Sequence, residues 1–112
     1  MPRFAVLTHD HPYLHWDFLL EAGGALRAWR LAAPPAHAID ATALPDHRLM
    51  YLDYEGPVGG GRGTVTRWDG GTYAVERWGP ERIELILDGD QICGPIRLVH
   101  IDGTEWRLEH GA

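Results

Sequence analysis

Three histidines and two aspartates lie within nine residues near the N-terminus, in the stretch from His9 to Asp17. Imidazole nitrogens and carboxylate oxygens together make a good site for a divalent metal ion. A polar loop that faces solvent would have the same composition. The residue types alone therefore leave both interpretations open.

The spacing of these residues adds geometry to their chemistry. Apolar and polar residues alternate from Leu14 to Glu21, which predicts a β-strand. His15 and Asp17 would then project from the same face of that strand, because they are two residues apart. Pro12 bends the preceding chain, and the bend could return His9 to the side of those two residues. Two imidazoles and one carboxylate would leave metal positions open for water or substrate, as a catalytic site requires.

The rest of the chain predicts short strands joined by tight turns. Its 112 residues are enough for one modest hydrophobic core, so we expect one domain over residues 1–112. The strands predicted from period-two alternation are Phe4–Thr8, Leu14–Glu21, Ala25–Leu31, Leu49–Tyr54, Thr64–Trp68, Thr72–Trp78, Arg82–Leu87, Ile92–His100 and Thr104–Glu109. We therefore expect an all-β, mainly antiparallel fold: a compact, closed or partly open β-barrel of about eight strands with at most a short helical turn.

Three segments interrupt this pattern. Ala32–Asp46 contains three prolines and has no period, which indicates a connection that could contain one helical turn around Asp40–Leu44. Gly56–Gly63 is a glycine-rich loop without the strand, lysine and helix of a P-loop. Asp69-Gly70-Gly71 is typical of a hairpin turn.

Charge and composition exclude some classes of function. The net charge of −6 argues against a protein that coats nucleic acid non-specifically, which needs a basic surface. It allows an enzyme that contacts one phosphate through local arginines and a metal ion. The single cysteine, Cys93, permits no internal disulfide, and no stretch is apolar enough to span a membrane. We therefore expect a cytoplasmic protein with no membrane partner.

Ordered motifs along the chain resemble those of a known family. The first motif is Phe4-Ala5-Val6, His9 and Leu14-His15-Trp16-Asp17-Phe18, followed by Leu20-Glu21. The later ones are Gly24-Ala25-Leu26-Arg27-Ala28-Trp29, then Asp46-His47 with Tyr51 and Asp53-Tyr54-Glu55-Gly56, then Gly63-Thr64-Val65 with Trp68-Asp69 and Gly71-Thr72-Tyr73. In this order they resemble the 3′-phosphoesterase domain of bacterial ligase D over nearly the whole chain. The family's form of the third block is Asp-His-Pro-Leu-Asp-Tyr-Ala-Asp-Phe-Glu-Gly.

The resemblance implies a β-barrel with a metal site that removes 3′-terminal phosphates or ribonucleosides from nucleic-acid ends in DNA repair. It implies that the metal ligands are His9, His15 and Asp17, with Mn²⁺ as the expected ion and Zn²⁺ or Co²⁺ as alternatives. It also implies that His47 contacts the scissile phosphate or acts as acid or base, and that Tyr51 assists at the substrate. The implied partners are nucleic-acid 3′ ends or a small phosphoester, and a repair system with a DNA ligase and polymerase.

Two departures from the family pattern weaken the expected phosphate contacts. The family places an arginine two residues after its metal-binding aspartate, where this chain has Leu19, and a lysine where it has Ala33. Arg30 or Arg62 could bind the substrate from another direction. Two alternatives therefore stay open: a non-catalytic metal-holding module that binds phosphorylated ends or small anions, and an iron site of the kind that oxygenases use.

Overall fold

The computed structural model describes residues 1–35 and 37–111. Ala36, in the predicted connection, and Ala112, at the end of the predicted domain, lie outside these residues. The described chain forms β1 (Arg3–His9), β2 (His15–Ala22), β3 (Ala25–Leu31), β4 (Ala38–His47), a 3₁₀ helix (Leu49–Leu52), β5 (Gly56–Pro57), β6 (Thr64–Trp78), β7 (Arg82–Gly89), β8 (Cys93–Asp102) and β9 (Glu105–His110). Within this part of the chain, no helix is long and apolar enough to cross a membrane.

Eight of the strands close into an antiparallel barrel. Neighbouring strands follow the order β1-β2-β3-β4-β9-β8-β7-β6, and β6 pairs with β1 to close the ring. The two-residue strand β5 pairs only with the start of β6. The predicted all-β barrel is confirmed, and the 3₁₀ helix is the one helical turn among the described residues.

The barrel interior is filled by alternate residues of the strands. On β1, Phe4 and Val6 are fully buried inside the barrel, whereas Ala5 and Leu7 belong to a different cluster. This alternation is the period of two that a strand imposes. The other buried interior residues are Phe18, Leu20, Trp29, Leu31, Ala41, Tyr73, Ile83, Leu85, Leu87, Ile92, Ile96, Leu98, Trp106 and Leu108.

A second, smaller cluster lies on the outer face of the barrel, and we call it the outer cluster. Its members are Ala5, Leu7, Leu19, Leu26, Ala28, Leu52 and Val65. Residues 45–63, here called the covering segment, cross this face and bring the 3₁₀ helix onto it. Arg67 Nη1 donates to the carbonyl of Leu52 at 2.6 Å. Arg3 donates to both carboxylate oxygens of Asp53 at 2.6 and 3.0 Å, and this contact lowers the pKa of Asp53 below its ordinary value.

The prediction for the segment before His47 was wrong. Ala38–His47 is a full strand between β3 and β9, not an irregular connection. Its inward residue Ala41 is buried, but alanine is too small to produce a clear hydrophobic alternation in the sequence. The helical turn predicted around Asp40–Leu44 is absent there and occurs at Leu49–Leu52, where a strand was expected.

The predicted hairpin turn at Asp69-Gly70-Gly71 was also wrong, because β6 runs unbroken through it. One end of β6 pairs with β1 and the other with β7. A Cβ atom at Gly71 would lie 2.0 Å from the carbonyl oxygen of Asp88. The glycine therefore serves a close approach between two strands and not a turn.

Asp69 contributes a buried carboxylate at the same place. It is 4% exposed and accepts backbone N–H bonds from Asp90, Gln91 and Ile92 at 2.8–3.0 Å. These bonds fix the turn between β7 and β8, because three backbone donors converge on one charged group.

Candidate metal centre and catalytic cavity

The β1–β2 hairpin brings His9, His15 and Asp17 together. His9 and His15 are directly opposed in the antiparallel register, so their side chains share a face. Asp17 lies two residues further along β2, on the same face. One ligand atom from each residue lies within 4.8 Å of the others. This face is the outer one, beside Leu7 and Leu19 of the outer cluster.

The hydrogen bonds of the two histidines show which nitrogens carry lone pairs. Nδ1 of His15 lies 2.9 Å from the carbonyl oxygen of Tyr13, which can only accept a hydrogen bond. A neutral ring therefore presents a lone pair at Nε2, 3.0 Å from Asp17 Oδ1. Likewise, Nε2 of His9 donates to the carbonyl of Arg62 at 2.8 Å. Its Nδ1 then presents a lone pair 3.3 Å from Asp17 Oδ2.

This arrangement of electron-rich atoms fits a divalent cation. His15 and Asp17 are 0% and 3% exposed, and His15 Nε2 and Asp17 Oδ1 have no hydrogen-bond partner among the described residues. Although these two atoms are 3.0 Å apart, their geometry does not make a hydrogen bond. Buried lone pairs that face a carboxylate are unfavourable unless a positive charge lies between them. Histidine ligands of metals also usually donate their other N–H to a backbone carbonyl or carboxylate, as both rings do here.

A cavity of about 590 Å³ opens beside this cluster. His9 and Asp17 line it from the barrel, together with the apolar side chains of Leu7 and Val65. The covering segment forms the opposite wall. The polar and aromatic residues of that wall are Asp46, His47, Arg48, Tyr51, Tyr54 and Arg62.

His47 and Tyr51 lie next to each other on this wall. His47 ends β4, and its Nδ1 donates to the carbonyl of Pro45 at 2.9 Å, which leaves Nε2 free of protein hydrogen bonds among the described residues. Its ring packs edge-to-face on Tyr51, with 6.1 Å between the centroids, and Tyr51 packs on Tyr54 at 5.8 Å. An imidazole held in this way can take up or release a proton at Nε2.

The glycine-rich loop joins the cluster of His9, His15 and Asp17 to the cavity wall through Arg62. The Arg62 carbonyl accepts the hydrogen bond from Nε2 of His9. The side-chain Nε of Arg62 donates to the carbonyl of Gly59 at 2.7 Å. A Cβ atom at Gly63 would lie 2.3 Å from Asp10 Oδ1, so only glycine fits between the loop and the residues that follow β1. A change in this loop would therefore also disturb His9.

The remaining sequence-predicted positions lie elsewhere. Arg30 on β3 lies opposite Asp17 of β2 in the strand register, but its side chain does not line the cavity. Its guanidinium donates to the Tyr13 hydroxyl at 3.2 Å and lies over that ring. Leu19 is fully buried in the outer cluster. Sequence reasoning missed Arg48, whose only signal was its position next to His47.

Comparisons with known proteins agree with the motifs. A family model described as the DNA Ligase D 3′-phosphoesterase domain matches residues 7–100. The multifunctional non-homologous end joining protein LigD of Pseudomonas aeruginosa is 34% identical over 111 residues, which is 87% of this chain and 13% of that protein. The corresponding DNA repair protein LigD of Mycobacterium tuberculosis is 33% identical over 117 residues, 92% of this chain and 15% of that protein.

A LigD protein of Mycolicibacterium smegmatis is 26% identical over 125 residues, 93% of this chain. This chain spans only 13% to 16% of the length of these curated relatives. The family match nevertheless covers residues 7–100, which is most of the chain. The chain therefore belongs to the DNA ligase D 3′-phosphoesterase domain family.

Proposed function

We propose that this protein is a metal-dependent phosphoesterase that acts on 3′-phosphate or 3′-ribonucleotide ends of nucleic acid in DNA repair. The observation that carries the proposal is the convergence of two imidazole lone pairs and one carboxylate beside a cavity that His47 and Tyr51 also line. Family membership supports the phosphoesterase chemistry. The relatives named for non-homologous end joining support a role in DNA repair, and the partners we propose there are a DNA ligase and polymerase.

The metal would be held by His9, His15 and Asp17. Mixed nitrogen and oxygen donors suit Mn²⁺, the expected ion, and also Zn²⁺ or Co²⁺. A divalent ion bound there would polarise a phosphoryl oxygen and lower the pKa of a bound water. The backbone carbonyls of Tyr13 and Arg62 would orient the two imidazoles toward it.

The cavity wall would supply the proton and the contacts to the phosphate. Hydrolysis leaves a 3′-oxygen that must gain a proton, and Nε2 of His47 is the free imidazole nitrogen on this wall. The hydroxyl of Tyr51 would donate to a phosphate oxygen. Among the described residues, the Arg62 side chain donates only through Nε, to the carbonyl of Gly59, so its terminal nitrogens would balance negative charge in the transition state.

A second candidate is a non-catalytic module that holds a metal and binds phosphorylated ends or small anions. The observation that favours it is Leu19, which is fully buried among apolar side chains where the family has a cation. Leucine makes no contact with phosphate oxygens. This candidate predicts metal-dependent retention of a 3′-phosphorylated end without turnover.

Release of phosphate separates the two functions. An oligonucleotide with a 3′-phosphate, and another with a terminal 3′-ribonucleotide, are incubated with the protein and Mn²⁺, Zn²⁺, Co²⁺ or a chelator. We expect a 3′-hydroxyl product with Mn²⁺ and none with chelator. His47→Gln should lower the rate by about 100-fold or more, whereas His37→Gln, at an exposed histidine outside the cavity, should leave it unchanged.

The contradictory result would be no product from either oligonucleotide with any of the three metals, although the protein binds the metal. It would leave the binding module as the function. Equal loss of rate in His47→Gln and His37→Gln would remove His47 from the proposed mechanism.

A further inference from the structure

Two arginines line the cavity, Arg48 and Arg62, and neither forms an ion pair among the described residues. All ten cationic side chains of the protein are arginines. Five of them form ion pairs among the described residues: Arg3, Arg27, Arg82, Arg97 and Arg107. Arg48 lines the cavity and, within the part of the chain that the structure describes, has no carboxylate within 4.0 Å. The acidic residue beside it on the same wall, Asp46, lies 4.0 Å from Arg27 instead.

The backbone holds Arg48 between the two candidate catalytic side chains. It follows His47 directly, and its carbonyl accepts the N–H of Tyr51 at 3.1 Å. The 3₁₀ helix that begins after it is tied to the barrel at its far end, where Arg67 donates to the carbonyl of Leu52. The Cα of Arg48 is therefore fixed, whereas its exposed guanidinium is free to meet an anion in the cavity.

We propose that Arg48 binds the terminal phosphate of the substrate and so selects 3′-phosphorylated ends over 3′-hydroxyl ends. This inference rests on the proposed function of the cavity. A guanidinium presents five N–H donors in a plane and can bind two phosphate oxygens at once. The family block quoted above has proline at this position. The phosphate would thus be bound from the covering segment and not from the barrel face, where the side chain is Leu19.

The net charge of −6 makes such a local contact necessary. A polyanion approaches this surface against overall repulsion, so discrimination depends on a few cations inside the cavity. Arg62 is the other lining arginine, but its Nε donates to the carbonyl of Gly59, and its own carbonyl accepts a hydrogen bond from His9. Arg48 is therefore the cavity cation that can be changed without altering a contact to His9, His15 or Asp17.

Equilibrium binding in chelator tests this inference without turnover. Fluorescence anisotropy is measured with two labelled oligonucleotides of one sequence, ending in a 3′-phosphate or a 3′-hydroxyl. We expect the wild-type protein to bind the phosphorylated end more tightly, and Arg48→Gln to weaken that binding by about tenfold or more and remove the preference. Arg77→Gln removes the same charge at an exposed arginine outside the cavity and should keep the preference.

The conservative variant Arg48→Lys separates bidentate recognition from charge. It should recover part of the lost affinity, because an ammonium keeps the charge but not the planar donor geometry. With Mn²⁺ present, Arg48→Gln should raise KM while kcat changes less, since the contact already forms in the ground state. A thermal unfolding curve like that of the wild type checks that Arg48→Gln is folded.

Three results of the binding assay would overturn the inference: no preference of the wild-type protein for the 3′-phosphate, an Arg48→Gln variant that keeps the preference, or equal effects of Arg48→Gln and Arg77→Gln. Turnover by Arg48→Gln with an unchanged KM would overturn the role of Arg48 but would leave the proposed catalysis intact. A preference that depends on Arg48 in a protein without turnover would support the inference and overturn the proposed catalysis instead.

Discussion

Replacement of Asp17 by asparagine should have opposite effects on the metal-free and metal-loaded protein. In the metal-free protein, the Asp17 carboxylate is 3% exposed and faces the imidazole nitrogens of His9 and His15. Within the described parts of the chain, its Oδ1 has no hydrogen-bond partner. Asparagine has nearly the same shape, carries no charge, and can donate an N–H to one of the two lone pairs.

The size of both effects follows from the geometry. A buried charged group without its hydrogen bonds costs about 1–3 kcal/mol, so in chelator Asp17→Asn should be more stable than the wild type by about that amount. Two unit charges about 4 Å apart attract each other by about 4 kcal/mol at an effective dielectric constant of about 20. Loss of the carboxylate should therefore weaken binding of a divalent ion by about 1000-fold or more.

Urea unfolding followed by tryptophan fluorescence measures both effects, in chelator and in Mn²⁺. We expect Mn²⁺ to stabilise the wild-type protein and to leave Asp17→Asn unchanged at the same concentration. Asp102→Asn, at an exposed carboxylate, is the matched control and should change stability by less than about 0.5 kcal/mol. An Asp17→Asn protein that is less stable in chelator, or that is stabilised by Mn²⁺ as much as the wild type, would refute the reasoning.

Three further predictions concern the barrel, and urea unfolding checks each. Asp69→Ala should cost roughly 3 kcal/mol, because three backbone donors, of which the Ile92 N–H is buried, lose their acceptor; a loss below about 0.5 kcal/mol would contradict this. Gly71→Ala should cost roughly 2 kcal/mol, since its Cβ would meet the Asp88 carbonyl; an unchanged midpoint would show that the strands can separate freely. Burial raises the pKa of Tyr73, whose hydroxyl donates to the Glu21 carbonyl at 2.6 Å. The stability from its neutral phenol is complete below its ordinary pKa of about 10 and is lost as pH rises through the higher folded pKa. From about pH 8 to pH 11, the wild type should therefore lose more stability than Tyr73→Phe, and equal losses would contradict this.

The sequence allowed prediction of the parts of the fold that depend on local pattern. The alternation in β2 predicted that His15 and Asp17 share a face, because successive side chains of any strand point to opposite sides. The turns between β6 and β7 and between β8 and β9 contain Gly79-Pro80 and Asp102-Gly103, which are residue types that favour tight turns. These features need no knowledge of distant contacts.

The rest depended on packing between distant segments. Ala41 and its neighbours form a strand because β3 and β9 lie on either side, and alanine carries little signal of its own. Gly71 resembles a turn residue, although its role is to let two strands approach closely. Arg48 is a candidate phosphate-binding residue because the covering segment crosses the outer face of the barrel and places it in the same cavity as His9 and Asp17.

The most direct test of the central claim compares metal occupancy with turnover in one sample. Free Mn²⁺ is followed by its electron paramagnetic resonance signal while phosphate release from a 3′-phosphorylated oligonucleotide is measured at each Mn²⁺ concentration. We predict that one ion binds per chain, that the rate rises in parallel with occupancy, and that Asp17→Asn loses both. Turnover without a bound ion, or a filled site without turnover, would contradict the claim that His9, His15 and Asp17 hold the catalytic metal.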